Sequence, residues 1–159
     1  MTDARFEDGA ERPLRLVALA PDDLPVISAL VQDAVFTAAD LRWSRKGRRV
    51  DVLLNRFRWE DRAAAERAGR PYERVRAVLT VQDVTGLAAQ GVVPGDKDTV
   101  LSVLALEFTP GADGTGVLVV VLAGDGALRM EVECVNLMLS DVTRPYRAPS
   151  GKAPHHPEG

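Results

Sequence analysis

Seven cations and three rings crowd one short stretch: Arg42, Arg45, Lys46, Arg48, Arg49, Arg56 and Arg58, with Trp43, Phe57 and Trp59 interleaved. Guanidinium groups hold phosphates and carboxylates through two parallel hydrogen bonds, and an adjacent indole can stack on a base. A β-hairpin with a basic tip can also enter a nucleic-acid groove or rest on anionic headgroups. The bland alternative is that arginines guard a sheet edge and meet the protein's own acids. The sequence pI of about 5.4 argues against nucleic acid. The candidate partner- or anion-binding set is therefore Arg42, Trp43, Arg45, Lys46, Arg48, Arg49, Arg56 and Arg58. Residues 41–76 hold twelve basic and five acidic side chains, a local charge of +7. The net charge of −3 then leaves −10 for the remainder, an asymmetry that speaks to partners rather than to fold.

No other constellation offers comparable chemistry. His155 and His156 are the only histidines, and both lie in a proline-rich tail. The segment expected to fold thus lacks the commonest general base and metal ligand, which removes Ser-His-Asp and Cys-His arrangements from it. The single cysteine, Cys134, excludes an intramolecular disulfide and every zinc site built on paired cysteines. It continues the row Leu128, Met130 and Val132, so the spacing predicts a buried, inert thiol. Glu131 and Glu133 share a strand face with Arg129 and read as an exposed row. Asp22 and Asp23 suit a helix start, and Asp96 and Asp98 lack the further ligands of a calcium loop. Gly111 to Gly116 and Gly124 to Gly126 match no phosphate-binding fingerprint and read as turns. Asn55 interrupts an apolar row and calls for hydrogen-bond partners. No catalytic residue, metal site or cofactor is assigned.

The elements that carry these residues follow from periodicity. Residues 14–19 suggest a first strand. Pro21-Asp22-Asp23 opens an amphipathic helix of about three turns, with Leu24, Ile27, Leu30, Val31, Ala34 and Val35 on one side. Residues 41–44 and 50–59 read as strands around the loop Arg45-Lys46-Gly47-Arg48. In the second strand Leu53, Asn55, Phe57 and Trp59 share one face, while Val50, Val52 and Leu54 share the other with Arg56 and Arg58. The alanine-rich stretch 61–68 fits a short exposed helix or an excursion off the sheet. Strands follow at 75–81, 100–108, 117–122 and 128–134, with 87–98 read as loop. From Cys134 the apolar spacing turns helical over 134–142, although a strand resuming after a bulge fits the same residues.

The chain of 159 residues is 46 % hydrophobic and 27 % charged, which suits one globular domain with a sizeable core. No apolar run approaches the roughly 20 residues of a membrane span, and the polar N-terminus contains no signal-peptide core. The expected address is cytoplasmic. The expected organisation is a loose N-terminus over 1–13, one domain over 14–144 and a disordered tail over 145–159. The fold class is α+β: a strongly bent, mostly antiparallel sheet or partly open barrel of about seven strands. An N-terminal helix and a short C-terminal helix pack on it, an ending that also suits a pleckstrin-homology-like barrel.

Four separated stretches carry a family resemblance: residues 14–19 with 22–24 and 30–35, Leu53-Leu54-Asn55-Arg56-Phe57-Arg58-Trp59-Glu60, residues 100–108, and residues 128–135 with 139–141. Together they resemble the proteobacterial domain-of-unknown-function family 2948. The resemblance implies a cytosolic single-domain protein and brings no activity, substrate or cofactor with it. The functional expectation is a non-enzymatic binding or regulatory module acting through a protein partner or homodimer. Polyanion binding through 42–58 and an enzyme acting on a small anionic metabolite are the alternatives.

Overall fold

Asp23 sets the entry to the first helix: its carboxylate accepts the N–H groups of Leu19 and Ala20 at 3.1 and 3.2 Å. The computed structural model of the chain describes residues 13–147. After strand β1 (Arg15–Ala18) and a 3-10 turn at Pro21–Asp23, helix α1 runs over Leu24–Val31. Leu24, Ile27 and Val31 turn one stripe into the core. The helix stops a turn earlier than its apolar spacing suggests. Val35 belongs instead to strand β2 (Val35–Phe36), between strand β4 (Arg49–Phe57) and strand β7 (Leu101–Pro110). The cause lies in tertiary pairing: Asp33 donates to the Val103 carbonyl at 2.8 Å, and Val103 donates to Ala34 at 2.9 Å. Two waiting strand backbones outcompete one more helical turn, and a β-branched valine suits the strand.

Strand β3 (Leu41–Ser44) and β4 form the expected hairpin. A 3-10 turn at Trp59–Asp61 leads into helix α2 (Arg62–Ala68), so the alanine-rich stretch is helical. Ala65 is its buried contact, and Gly69 ends it in the left-handed conformation (φ 64°) with its N–H turned back on the helix. Strand β5 (Glu73–Val81) follows, then β6 (Val84–Gln90), β7, β8 (Gly116–Leu122), β9 (Ala127–Val132), β10 (Leu137–Asp141) and β11 (Tyr146–Arg147). Residues 87–90, expected in a loop, belong to β6 because their backbone pairs with β9 despite the weak strand preference of Ala88 and Ala89. The C-terminal helix expected over 134–142 is not formed. Leu137, Leu139 and Asp141 alternate inward as β10, which fills the slot between β1 and β5. The apolar spacing fits both periods there, and the open ladder decides between them.

The described strands number eleven, two of them only two residues long, against the expected seven or so. All pairings are antiparallel, in the order β1-β10-β5-β4-β2-β7-β8-β9-β6, with β3 beside β4 and β11 beside β5. The sheet bends over itself without closing. Irregular register at Val84/Gly86 and Val103/Ala105 helps β6 and β7 turn. Between the two halves lies an aliphatic core drawn from β4, β5, β8, β9, β10 and α1. Each fully buried leucine or valine there contributes about 1.5–3 kcal/mol. β11 lies in the segment expected to be a tail. The remainder of that segment, with His155 and His156, falls outside the described residues.

Candidate functional site

The β3–β4 hairpin is held at its tip by local bonds. Gly47 donates to the Ser44 hydroxyl at 3.0 Å, and Arg48 donates to the Arg45 carbonyl at 3.2 Å. Strand alternation then sorts the side chains: Leu41 and Trp43 pack against the core while Arg42 and Ser44 face water. Along β4 the same alternation sends Val50, Val52, Leu54 and Arg56 inward. Arg56, expected on a contact surface, is instead fully buried as a member of that row.

Arg56 is satisfied by two carboxylates at once. Its Nε and Nη2 donate to Asp141 Oδ1 and Oδ2 at 3.1 and 3.0 Å, and its Nη1 and Nη2 donate to Glu60 at 2.9 and 2.8 Å. Asp141 also accepts the N–H of Leu14 at 3.0 Å, which ties the beginning of the domain to the same centre. Burial alone would lower the Arg56 pKa, but its hydrogen bonds and charge attraction to Glu60 and Asp141 raise it instead. Burial likewise works against the Glu60 carboxylate, and Arg56 overcomes it, holding Glu60 below its ordinary range. Beside this centre Arg58 donates to Glu73 at 2.6 Å, and Arg70 grips both oxygens of Asp61 at 2.7 Å. The Arg70 hydrogen bond depresses the Asp61 pKa most. Phe57 and Trp59 complete this base, with ring centroids 4.7 Å apart, and Trp59 donates to the Gln32 carbonyl at 2.9 Å.

The tip contrasts with this. Arg48 pairs with Glu133, and Arg49 donates to Asp51 at 2.9 Å, both near the surface. Arg42, Arg45 and Lys46 are exposed and make no ion pair among the described residues. β3 pairs only β4, and β6 pairs only β9, so each presents a sheet edge without a strand partner among the described residues. A groove of about 410 Å³ lies between them, lined by Trp43, Arg45 and Arg48 on one side and Thr85, Gly86 and Leu87 on the other. Val84 N–H to the Arg48 carbonyl, at 2.9 Å, closes its inner end. The expected set is thus divided in space: Arg42, Trp43, Arg45, Lys46, Arg48 and Arg49 gather at the tip, while Arg56 and Arg58 are held within the base.

The family described as "Protein of unknown function (DUF2948)" matches residues 14–156. The chain belongs to this family. No curated protein and no solved structure matches it. In this DUF2948 protein the remaining candidates have plain surroundings. Glu131 and Glu133 are exposed, and Asp96 accepts the N–H of Asp98 at 2.9 Å within its own loop. Cys134 is exposed, contrary to its expected place in the core row, because β9 ends at Val132 and the chain turns out. Its thiol donates to Asp83 at 3.3 Å, and that hydrogen bond raises its pKa. Asn55 accepts from Arg74 Nε at 2.6 Å and donates to the Tyr146 hydroxyl, clamping β4, β5 and β11. Among the described residues no three histidine, cysteine or carboxylate side chains gather as metal ligands, and no helix is long and apolar enough to cross a membrane.

Sequence reasoning missed Asp141, Glu73, Arg70, Arg74 and the 85–87 wall of the groove. The spacing of Arg56 and Glu60 was a local signal for one pair. Asp141 had none, being brought to Arg56 only by the placement of β10.

Proposed function

We infer that this DUF2948 protein is a non-enzymatic binding module of the cytoplasm that docks a protein partner on the hairpin tip around Arg42, Trp43, Arg45 and Lys46. One observation carries the reading: these three cations keep no carboxylate partner among the described residues, while six other basic residues between 41 and 76 are ion-paired. Unpaired charge beside a half-buried indole and an open sheet edge favours a partner that neutralises the first and covers the second. Arg48 and Arg49 lend their aliphatic stems to the same surface. Arg56 and Arg58, each held by carboxylates of the domain, support it from below. The pleckstrin-homology-like barrel, expected from about seven strands and a closing helix, has no part in this reading: the described strands number eleven, and β10 stands where that helix was expected.

Capture from native lysate tests it, comparing the wild-type chain with an Arg42→Glu, Arg45→Glu, Lys46→Glu variant by quantitative mass spectrometry. The expected result is selective loss of one or a few proteins. An unchanged set of captured proteins removes the hairpin from the function. Polyanion binding is the alternative use of the same three cations, and it demands an affinity that falls steeply with salt. An enzyme for small anions has less support, since the guanidinium of Arg56 is already filled by Asp141 and Glu60.

A further inference from the structure

β3 is short and basic, on one side it has no strand partner among the described residues, and its alternation dictates what can lie beside it. Half the N–H and C=O groups of an edge strand point away from its only neighbour and can accept a further strand. Leu41 and Trp43 face inward from β3, and Arg42 and Ser44 face outward. A strand laid along that edge would continue both rows. Its inward side chains would meet Trp43 and Leu87 in the groove. Its outward side chains would lie next to Arg42, with Arg45 and Lys46 just beyond at the tip. Charge complementarity requires that outward row to be acidic. Fixed backbone pairing with two alternating rows selects a far narrower class of partner than net charge does.

We propose that the partner contributes an extended segment alternating acidic and apolar residues, which adds as an antiparallel or parallel strand to the free edge of β3 in the groove facing β6. The inference rests on the docking role assigned above to the tip. A segment of about four residues covers β3, roughly 13 Å at strand rise. The main chain supplies register, Trp43 and Leu87 take the apolar positions, and Arg42, Arg45 and Lys46 take the acidic ones.

The test titrates the isotope-labelled full chain with a ten-residue alternating Glu/Val peptide, following backbone amides by NMR. Parallel titrations use a Lys/Val peptide, a Glu/Val peptide N-methylated at alternate residues, ten-residue oligothymidine, and phosphatidylserine vesicles. The Glu/Val peptide should shift the amides of 41–46 and 84–87 and slow hydrogen exchange of alternate β3 amides. The Lys/Val and N-methylated peptides should bind at least about tenfold more weakly, as should Glu/Val to the Arg42→Glu, Arg45→Glu, Lys46→Glu variant. Equal binding of the N-methylated peptide overturns strand addition and leaves charge-driven docking standing. Silence with every peptide also overturns strand addition, and the lysate capture then decides separately whether the docking role survives. Binding of oligothymidine or vesicles at these amides, with none of the peptide, overturns both.

Discussion

Arg45 and Arg56 belong to one hairpin, yet one stands in water at its tip and the other is wholly buried at its base. Both are arginines among aromatic residues, and the sequence grouped them as one candidate surface. What separates them is the face of β4 and the supply of acids. Arg56 lies on the inward row, where only full pairing makes a buried charge tolerable, and Glu60 and Asp141 supply it. Arg42, Arg45 and Lys46 lie where water solvates them without cost, so the fold does not need them paired. A dense basic patch is therefore two things here: a brace for the domain and an open surface.

That division can be broken or sharpened by substitution. The largest effect is expected at the base. Arg56→Met leaves Asp141 buried and uncompensated, and should cost about 3–5 kcal/mol in chemical denaturation. Adding Asp141→Leu should recover part of that loss; if the double variant is the less stable, Arg56 is not acting through its pair. Next comes acid. Glu60 and Asp61 are held below their ordinary values of 4.5 and 3.8. Their stabilisation is complete above those unfolded-state values and is lost as pH falls through the depressed folded ones. A Glu60→Gln, Asp61→Asn variant should be less stable at neutral pH, and the gap should narrow below about pH 4 in pH-dependent denaturation. A gap that stays constant with pH would show that the carboxylate charges contribute nothing.

Smaller effects are expected toward the tip. The Arg48–Glu133 pair is exposed, so Arg48→Ala should cost less than about 1 kcal/mol, and less again in high salt. Arg45→Glu with Lys46→Glu should change stability by about 0.5 kcal/mol or less. A loss as large as that at Arg56 would make the tip structural and erase the contrast.

Much of this layout could be read from residues alone. The β3–β4 hairpin and its loop followed from alternation. So did α1 from its own period, with the stripe of Leu24, Ile27 and Val31 a local pattern. Alternation also put Arg56 in one row with Val50, Val52 and Leu54; that this row faces inward did not follow, and Arg56 was expected on the contact surface. Elements defined by distant partners were illegible. Val35 reads as helix until two strands accept it, and residues 134–142 read as helix until β10 is needed between β1 and β5. The glycine and alanines of β6 carry little strand propensity, and pairing with β9 fixes them. Of the site, the cations were plain, but which of them are spent internally depends on Asp141 and Glu73, whose approach is set by topology. Cys134 looked buried because a row was extrapolated past the end of its strand.

The central claim is that the tip, and not exposed arginine in general, is the contact surface. It is tested most directly by photo-crosslinking in the cells that make the protein. One variant carries a photoreactive phenylalanine analogue in place of Arg45, and another carries it in place of Arg67, an exposed arginine of α2. The account predicts a discrete protein adduct from position 45 and none from position 67. Adducts of equal yield from both positions, or none from position 45, would contradict it.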